Sequence, residues 1–183
     1  MTAPPSSGLG SRAPDFALPD LHGDTVRLAD VRGERGTVIM FICNHCPYVR
    51  SVIGRIVEDS RVLLKEGVGV AAIMSNDHRA YPEDAPDKMR AFAAEHALPF
   101  PYLLDESQNV ARAYDAVCTP DFFGYNSTLD LRYRGRLDAS KTTPVPDARR
   151  DLLEAMRQVA ATGDGPTGQI PSMGCSIKWK SPA

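Results

Sequence analysis

Short apolar runs and helical stripes alternate along this chain. Thr37-Val38-Ile39-Met40-Phe41-Ile42 is unbroken, the pattern of a strand covered on both faces. Val49, Val52, Ile53, Ile56, Val57, Leu63 and Leu64 then recur at three- and four-residue spacing, which predicts a helix with one apolar face, stopped at Gly67. Residues 68–74 predict a second buried strand, 86–98 a helix, 102–104 a short strand, and 107–114 a helix opened by Ser107. Upstream, Phe16-Ala17-Leu18 and Thr25-Val26-Arg27-Leu28 flank a turn at His22-Gly23-Asp24 and predict a small hairpin. Downstream, residues 122–125 and 129–134 predict strands joined at Asn126-Ser127. Leu152, Ala155, Met156, Val159 and Ala160 stripe a last helix that Gly163 ends. Strands alternating with helices, then a hairpin and a final helix, give a mixed α/β sandwich.

Length and composition fit one soluble domain. The chain has 183 residues, 43% hydrophobic and 24% charged. The expected division is a flexible tail over residues 1–12, a domain over 13–162, and an irregular tail over 163–183 docked on that domain. Net charge is −2 and no basic run exceeds Arg149-Arg150, so no nucleic-acid partner is expected. No segment approaches the roughly 20 apolar residues of a membrane span. Residues 1–11 lack the charged-then-apolar pattern of a secretory leader, so a cytoplasmic location is expected. Structural disulfides are disfavoured there, and the four cysteines (Cys43, Cys46, Cys118, Cys175) point to redox chemistry, metal binding or plain burial.

Cys43-Asn44-His45-Cys46-Pro47 lies where the buried strand gives way to the helix. Two intervening residues let both sulfurs meet across the first helical turn, so a disulfide closes easily. Unpaired N–H groups and the positive end of the helix dipole favour a thiolate, the species that attacks in thiol–disulfide exchange. A protonated His45 pushes the same way, and Pro47 just inside the helix lacks an N–H that would have no partner. A structural zinc site needs four ligands, but Cys118 and Cys175 stand singly and far apart, so no metal is expected. Cys118-Thr119-Pro120 precedes a strand. A cis Thr119–Pro120 bond there would turn the chain sharply toward the cysteine pair.

With these pieces placed, the chain resembles the thioredoxin-like superfamily, in its alkyl hydroperoxide reductase/thiol-specific antioxidant branch. The resemblance rests on 13–20 (Ala-Pro-Asp-Phe-Ala-Leu-Pro-Asp), 23–28, the stretch from Cys43 to Pro47, 105–111, and Cys118-Thr119-Pro120-Asp121-Phe122-Phe123. Together with the Gly174-to-Lys180 tail, these look like a bacterial peroxiredoxin-like subgroup. The resemblance implies a three-layer sandwich: a central mixed sheet flanked by helices, an N-terminal hairpin, and a βα unit inserted within residues 68–98. It also implies Cys43 as nucleophile and Cys46 as resolving thiol, with Thr119 offering backbone groups to a bound peptide before a cis Pro120.

Three functions fit. A vicinal dithiol at a helix start favours disulfide exchange with protein or small-molecule thiols. The rival is peroxide reduction at Cys46, which precedes Pro47 as a peroxidatic cysteine does. Against it, Cys43 stands where such enzymes carry a threonine, and none of Arg132, Arg134 and Arg136 is assignable as the arginine that polarises the peroxide. A non-catalytic binding module is the third, since fold alone never proves activity. Cys118 reads as a buried hydrophobe or a disulfide relay, and Cys175 as an idle thiol in a segment docked by Ile177 and Trp179 or as an extra resolving cysteine. No nucleotide-binding loop is present, so no cofactor is expected and electrons are expected to come from another protein's thiols.

Overall fold

The computed structural model describes residues 8–181. Its centre is a five-stranded sheet of β3 (Gly36–Phe41), β4 (Val68–Met74), β5 (Tyr102–Leu104), β7 (Asp121–Tyr125) and β8 (Leu131–Gly135), in the order β5-β4-β3-β7-β8. Strands β3, β4 and β5 run parallel, and β7 and β8 antiparallel to their neighbours. A separate hairpin pairs β1 (Ala17–Pro19) with β2 (Thr25–Arg27). This is the mixed α/β sandwich expected from the residues, in the thioredoxin-like arrangement that the resemblance implies.

Side-chain alternation on β3 explains its continuous apolar run. Val38 and Met40 face one core with α2 (Pro47–Lys65), α3 (Pro86–Glu95) and α5 (Asp151–Thr162), while Ile39 and Phe41 face a second with Tyr114, Phe123 and Tyr125. Helix α2 buries Val49, Val52, Ile53, Ile56 and Leu63, the stripe its spacing predicts, and Gly67 takes the left-handed φ of 82° just beyond its end.

Several boundaries differ. Leu28 leaves the hairpin to open a short helix, α1 (Leu28–Val31), where the Arg27 N–H donates to Asp30 Oδ2 at 2.8 Å. Helix α3 stops at Glu95, short of Leu98, because Ala97 turns left-handed at φ 47°. Helix α4 (Asn109–Ala113) is shorter than 107–114, although Ser107 Oγ does accept from the Asn109 N–H at 3.1 Å. Leu129 adopts φ 63° inside the turn, so β8 starts two residues late.

Both expected tails need correcting. Residues 1–7 of the expected flexible tail lie outside the described residues. Residues 10–12 are not free, since Gly10 N–H donates to Leu131 O at 2.7 Å, Ser11 O accepts from Leu131 N–H at 2.8 Å, and Arg12 bridges Asp130. The C-terminal segment is not wholly irregular. Its β9 (Cys175–Ser176) pairs antiparallel with β6 (Cys118–Thr119), and Ile177 is buried. Trp179 stays partly exposed under the Arg112 guanidinium, 4.3 Å from its ring centre, so Ile177 and backbone hydrogen bonds do most of the docking.

Candidate active site

The cysteine motif occupies a bend between β3 and α2. Proline tolerates a helix only in its first turn, and Pro47 takes the first helical position with Cys46 as N-cap. Cys43 therefore lies three residues before the N-cap, and the two cysteines bracket the bend instead of spanning the first helical turn. Asn44 fixes the bend. Its N–H donates to Asp84 Oδ1 at 2.9 Å, its Nδ2 donates to Glu83 O at 3.0 Å, and its Oδ1 accepts from the Tyr102 hydroxyl at 3.0 Å.

The two thiols interact and are unbridged. Cys43 donates to the Cys46 sulfur, and this, with burial and the neighbouring Asp84 charge, holds the Cys43 proton well above the usual thiol range. As a thiol, Cys46 donates to Thr119 O at 3.1 Å. As a thiolate it gives up that bond but collects donors: Cys43 foremost, then the Thr119 side chain, the Val49 N–H and Cys175. Against the opposing effect of burial, these lower its pKa from 9.0 to about 4. The helix N-cap thus belongs to Cys46, whose contacts favour the negative charge there, whereas the family resemblance implied Cys43 as the nucleophile. Both are almost wholly shielded, at 1% and 0% exposure.

His45 faces a buried carboxylate. Its Nδ1 lies 2.8 Å from Asp84 Oδ2, which also accepts from Asn76 Nδ2 at 2.8 Å. The His45 ring stacks on Tyr81 and is 28% exposed. Cys43, His45 and Asp84 bring one donor atom each within 4.8 Å of one another. Asp84, whose oxygens already serve Asn44, Asn76 and His45, reads as the anchor of a polar network linking Cys43 to the surface.

The opposite wall is Thr119-Pro120. The bond between them is cis, and Thr119 Oγ1 lies 3.4 Å from Cys43 Sγ. Beside Pro120 opens a cavity of about 80 Å³ lined by Tyr48, Val52, Phe122, Ile170 and Met173 among others. Cys118 is fully buried, its sulfur 3.6 Å from Pro120 O, and burial pushes its pKa up. The structure thus keeps Cys118 behind the cis-proline and brings Cys43, Cys46, Thr119 and Cys175 together. Asp121 is buried with its pKa pushed up to about 7 by desolvation, against the pull of Arg134. Arg136 pairs with Asp151 at 2.7 Å and Arg132 with Asp164 at 3.2 Å.

Asp84, Asn76 and Tyr102 are the site residues that sequence reasoning missed. Asp84 sits in a 3₁₀ turn (Pro82–Asp84) forty residues from Asn44, and no spacing in the chain announces that meeting.

The AhpC/TSA family model matches residues 9–140, a span holding the cysteine motif and the cis-proline. The chain belongs to the AhpC/TSA family. An uncharacterized conserved protein from Geobacillus kaustophilus is 45% identical over 100% of this chain and 97% of that one, with a TM-score of 0.94. Two relatives within reach of the AhpC/TSA sequence carry different chemistry. The thiol-disulfide oxidoreductase ResA of Geobacillus kaustophilus is 31% identical over 115 residues, 63% of this chain and 62% of that protein. Peroxiredoxin Bcp of Escherichia coli K12 is 30% identical over 115 residues, 63% of this chain and 69% of that protein. Thioredoxin-fold structures below 25% identity share the architecture alone. This AhpC/TSA protein is therefore a thioredoxin-like redox-family member. No helix among the described residues is long and apolar enough to cross a membrane.

Proposed function

We propose that the protein is a cytoplasmic thiol–disulfide oxidoreductase exchanging disulfides through Cys43 and Cys46. The single observation that carries this is the donor–acceptor pair of sulfurs at the N-cap of α2, with the negative charge favoured on Cys46. The Cys46 thiolate attacks one sulfur of a substrate disulfide, forming a mixed disulfide and releasing the other sulfur as a thiolate. The Cys43 thiol then gives up its proton and attacks Cys46 Sγ, closing the Cys43–Cys46 disulfide and releasing the second substrate thiolate. Asp84 and His45, within 4.8 Å of Cys43, are the acceptors for that proton, and the exposed face of His45 passes it to water. Thr119 and the cavity beside Pro120 receive the substrate chain.

A second reading has one observation behind it: the acidic thiol is the residue directly before Pro47, at a helix start. There the thiolate would attack a peroxide oxygen, yielding Cys46 sulfenic acid and an alcohol or water, and Cys43 would condense with it to a disulfide and water. Cys43 in place of a threonine, with Arg132 and Arg136 engaged elsewhere, favours exchange. Turnover of insulin disulfides with dithiothreitol as donor should proceed in the wild type, vanish in Cys46→Ser and fall at least tenfold in Cys43→Ser. Fast hydrogen peroxide consumption that is lost in Cys46→Ser, with Cys46 sulfenic acid accumulating in Cys43→Ser, would replace exchange with peroxidase.

A further inference from the structure

The exchange mechanism proposed for Cys43 and Cys46 leaves an access problem. Both sulfurs are sealed from solvent, yet exchange with an external partner requires in-line attack on one of them. What closes over Cys46 is the C-terminal segment. Thr119, whose carbonyl faces the Cys46 sulfur at 3.1 Å, is the register partner of Cys175 in the β6–β9 pair. Gly174 permits this approach, because a Cβ there would stand 2.1 Å from Thr119 O. Cys175 lies within hydrogen-bonding reach of Cys46, packs against the same core cluster, and is the one partly exposed member of the four cysteines.

We propose that Cys175 is the exchange port of the dithiol: it takes the disulfide from Cys43 onto itself through Cys46 and presents it to the external thiol. This rests on the exchange reading above and refines it: Cys175 makes the external contact that the simpler scheme gave to Cys46, and Cys46 exchanges with Cys175. In the oxidised protein the Cys175 thiolate, its proton released to water, attacks Cys46 Sγ. The Cys43–Cys46 bond breaks, the Cys46–Cys175 bond forms, and Cys43 leaves as a thiolate that takes up a proton, with no net oxidation. An external thiolate then attacks Cys175 Sγ, and Cys46 departs as a thiolate. A second external thiolate attacks the mixed disulfide on Cys175, so two external thiols become one disulfide and the protein is left with three thiols. Reduction of an external disulfide runs the same steps backwards.

The electrostatics fit this order. In the reduced state Cys175 is held up to about 11, by burial first and then by its hydrogen bond to Cys46 and the charge on that sulfur. Closing the Cys43–Cys46 bond removes both contributions from Cys46 and leaves the favourable Lys178 charge in place, so Cys175 gains nucleophilicity when there is a disulfide to attack. Cys46, the most acidic of the three sulfurs, is the best leaving group once the bond sits on Cys175.

The test is stopped-flow reduction of the oxidised protein by glutathione, with mass-spectrometric disulfide mapping. Oxidised Cys175→Ser should be reduced at least tenfold more slowly than wild type. Cys43→Ser treated with one equivalent of the azo oxidant diamide should yield an intramolecular Cys46–Cys175 disulfide. Reduction of Cys175→Ser at or above the wild-type rate, or only intermolecular and mixed disulfides in Cys43→Ser, overturns the port. If the wild type treated with diamide forms no Cys43–Cys46 disulfide, the exchange reading itself falls and the port with it. A Cys175→Ser protein that forms that bond but is reduced at the wild-type rate removes the port alone.

Discussion

Replacing Cys46 by serine should flatten the pH dependence of stability in the reduced protein. Folding lowers the Cys46 pKa to about 4, whereas an unfolded cysteine titrates near 8.5. Between these values the unfolded chain binds one more proton than the folded chain, so this group makes stability rise with pH. Its contribution is complete above the unfolded value and lost as the pH falls through about 4. At about 1.4 kcal/mol per pH unit, the wild type should gain roughly 4 kcal/mol over Cys46→Ser between pH 5 and pH 8. Asp121 tilts the opposite way. Its folded pKa of about 7 lies above the unfolded value, so its contribution is full below about pH 4 and lost as the pH rises through 7. The wild-type profile alone is therefore shallow below pH 7, and the difference between the two proteins is the quantity to read. Urea unfolding at pH 5, 6, 7 and 8 under a phosphine reductant measures it. With a urea slope of about 2 kcal/mol/M, the midpoint difference should widen by about 2 M across that range. Parallel profiles, with the difference constant within about 1 kcal/mol, would refute the assignment of the thiolate to Cys46.

Three further outcomes follow from specific contacts. Asp84→Asn removes a charge that holds the Cys43 proton up, so the Cys43 pKa should fall in a 240 nm thiolate titration while resolution of a trapped mixed disulfide slows at least tenfold. Gly174→Ala forces a Cβ onto the Thr119 carbonyl, so β9 should lift and iodoacetamide should alkylate Cys46 at least tenfold faster than in the wild type. Arg150→Ala strips the cation beside Asp59, a carboxylate 1% exposed whose pKa burial already raises. Chemical denaturation should show a loss of about 2 kcal/mol, discounted because Arg150 itself is partly in water.

Elements with strong periodicity were legible because a buried strand and a one-faced helix leave different spacings. The runs at β3 and β4 and the stripe of α2 are read directly from the residues. The ends of α3 and β8 depend on single left-handed residues, Ala97 and Leu129, which carry no side-chain warning. The two-residue β9 is too short to have a period, and only its partner β6 makes it a strand. At the site, adjacency in the chain displayed Cys43, Asn44, His45 and Cys46, and the Cys118-Thr119-Pro120 run suggested the opposing wall. Which sulfur carries the charge was not legible, because that depends on donors brought from Thr119 and Cys175 by the fold. Asp84 was invisible for the same reason: its role arises from a fold-level meeting with Asn44 and His45.

Thiol pairs of this kind are commonly tuned by varying the two residues that separate them, and here those two positions are unequal. Asn44 is built into the floor, tied to Asp84, Glu83 and Tyr102, and any replacement must leave several buried groups without partners. His45 looks partly outward and can change without dismantling the bend. The redox character of this chain therefore has a single adjustable dial beside its sulfurs, and libraries aimed at shifting its potential would do best to spend their diversity there.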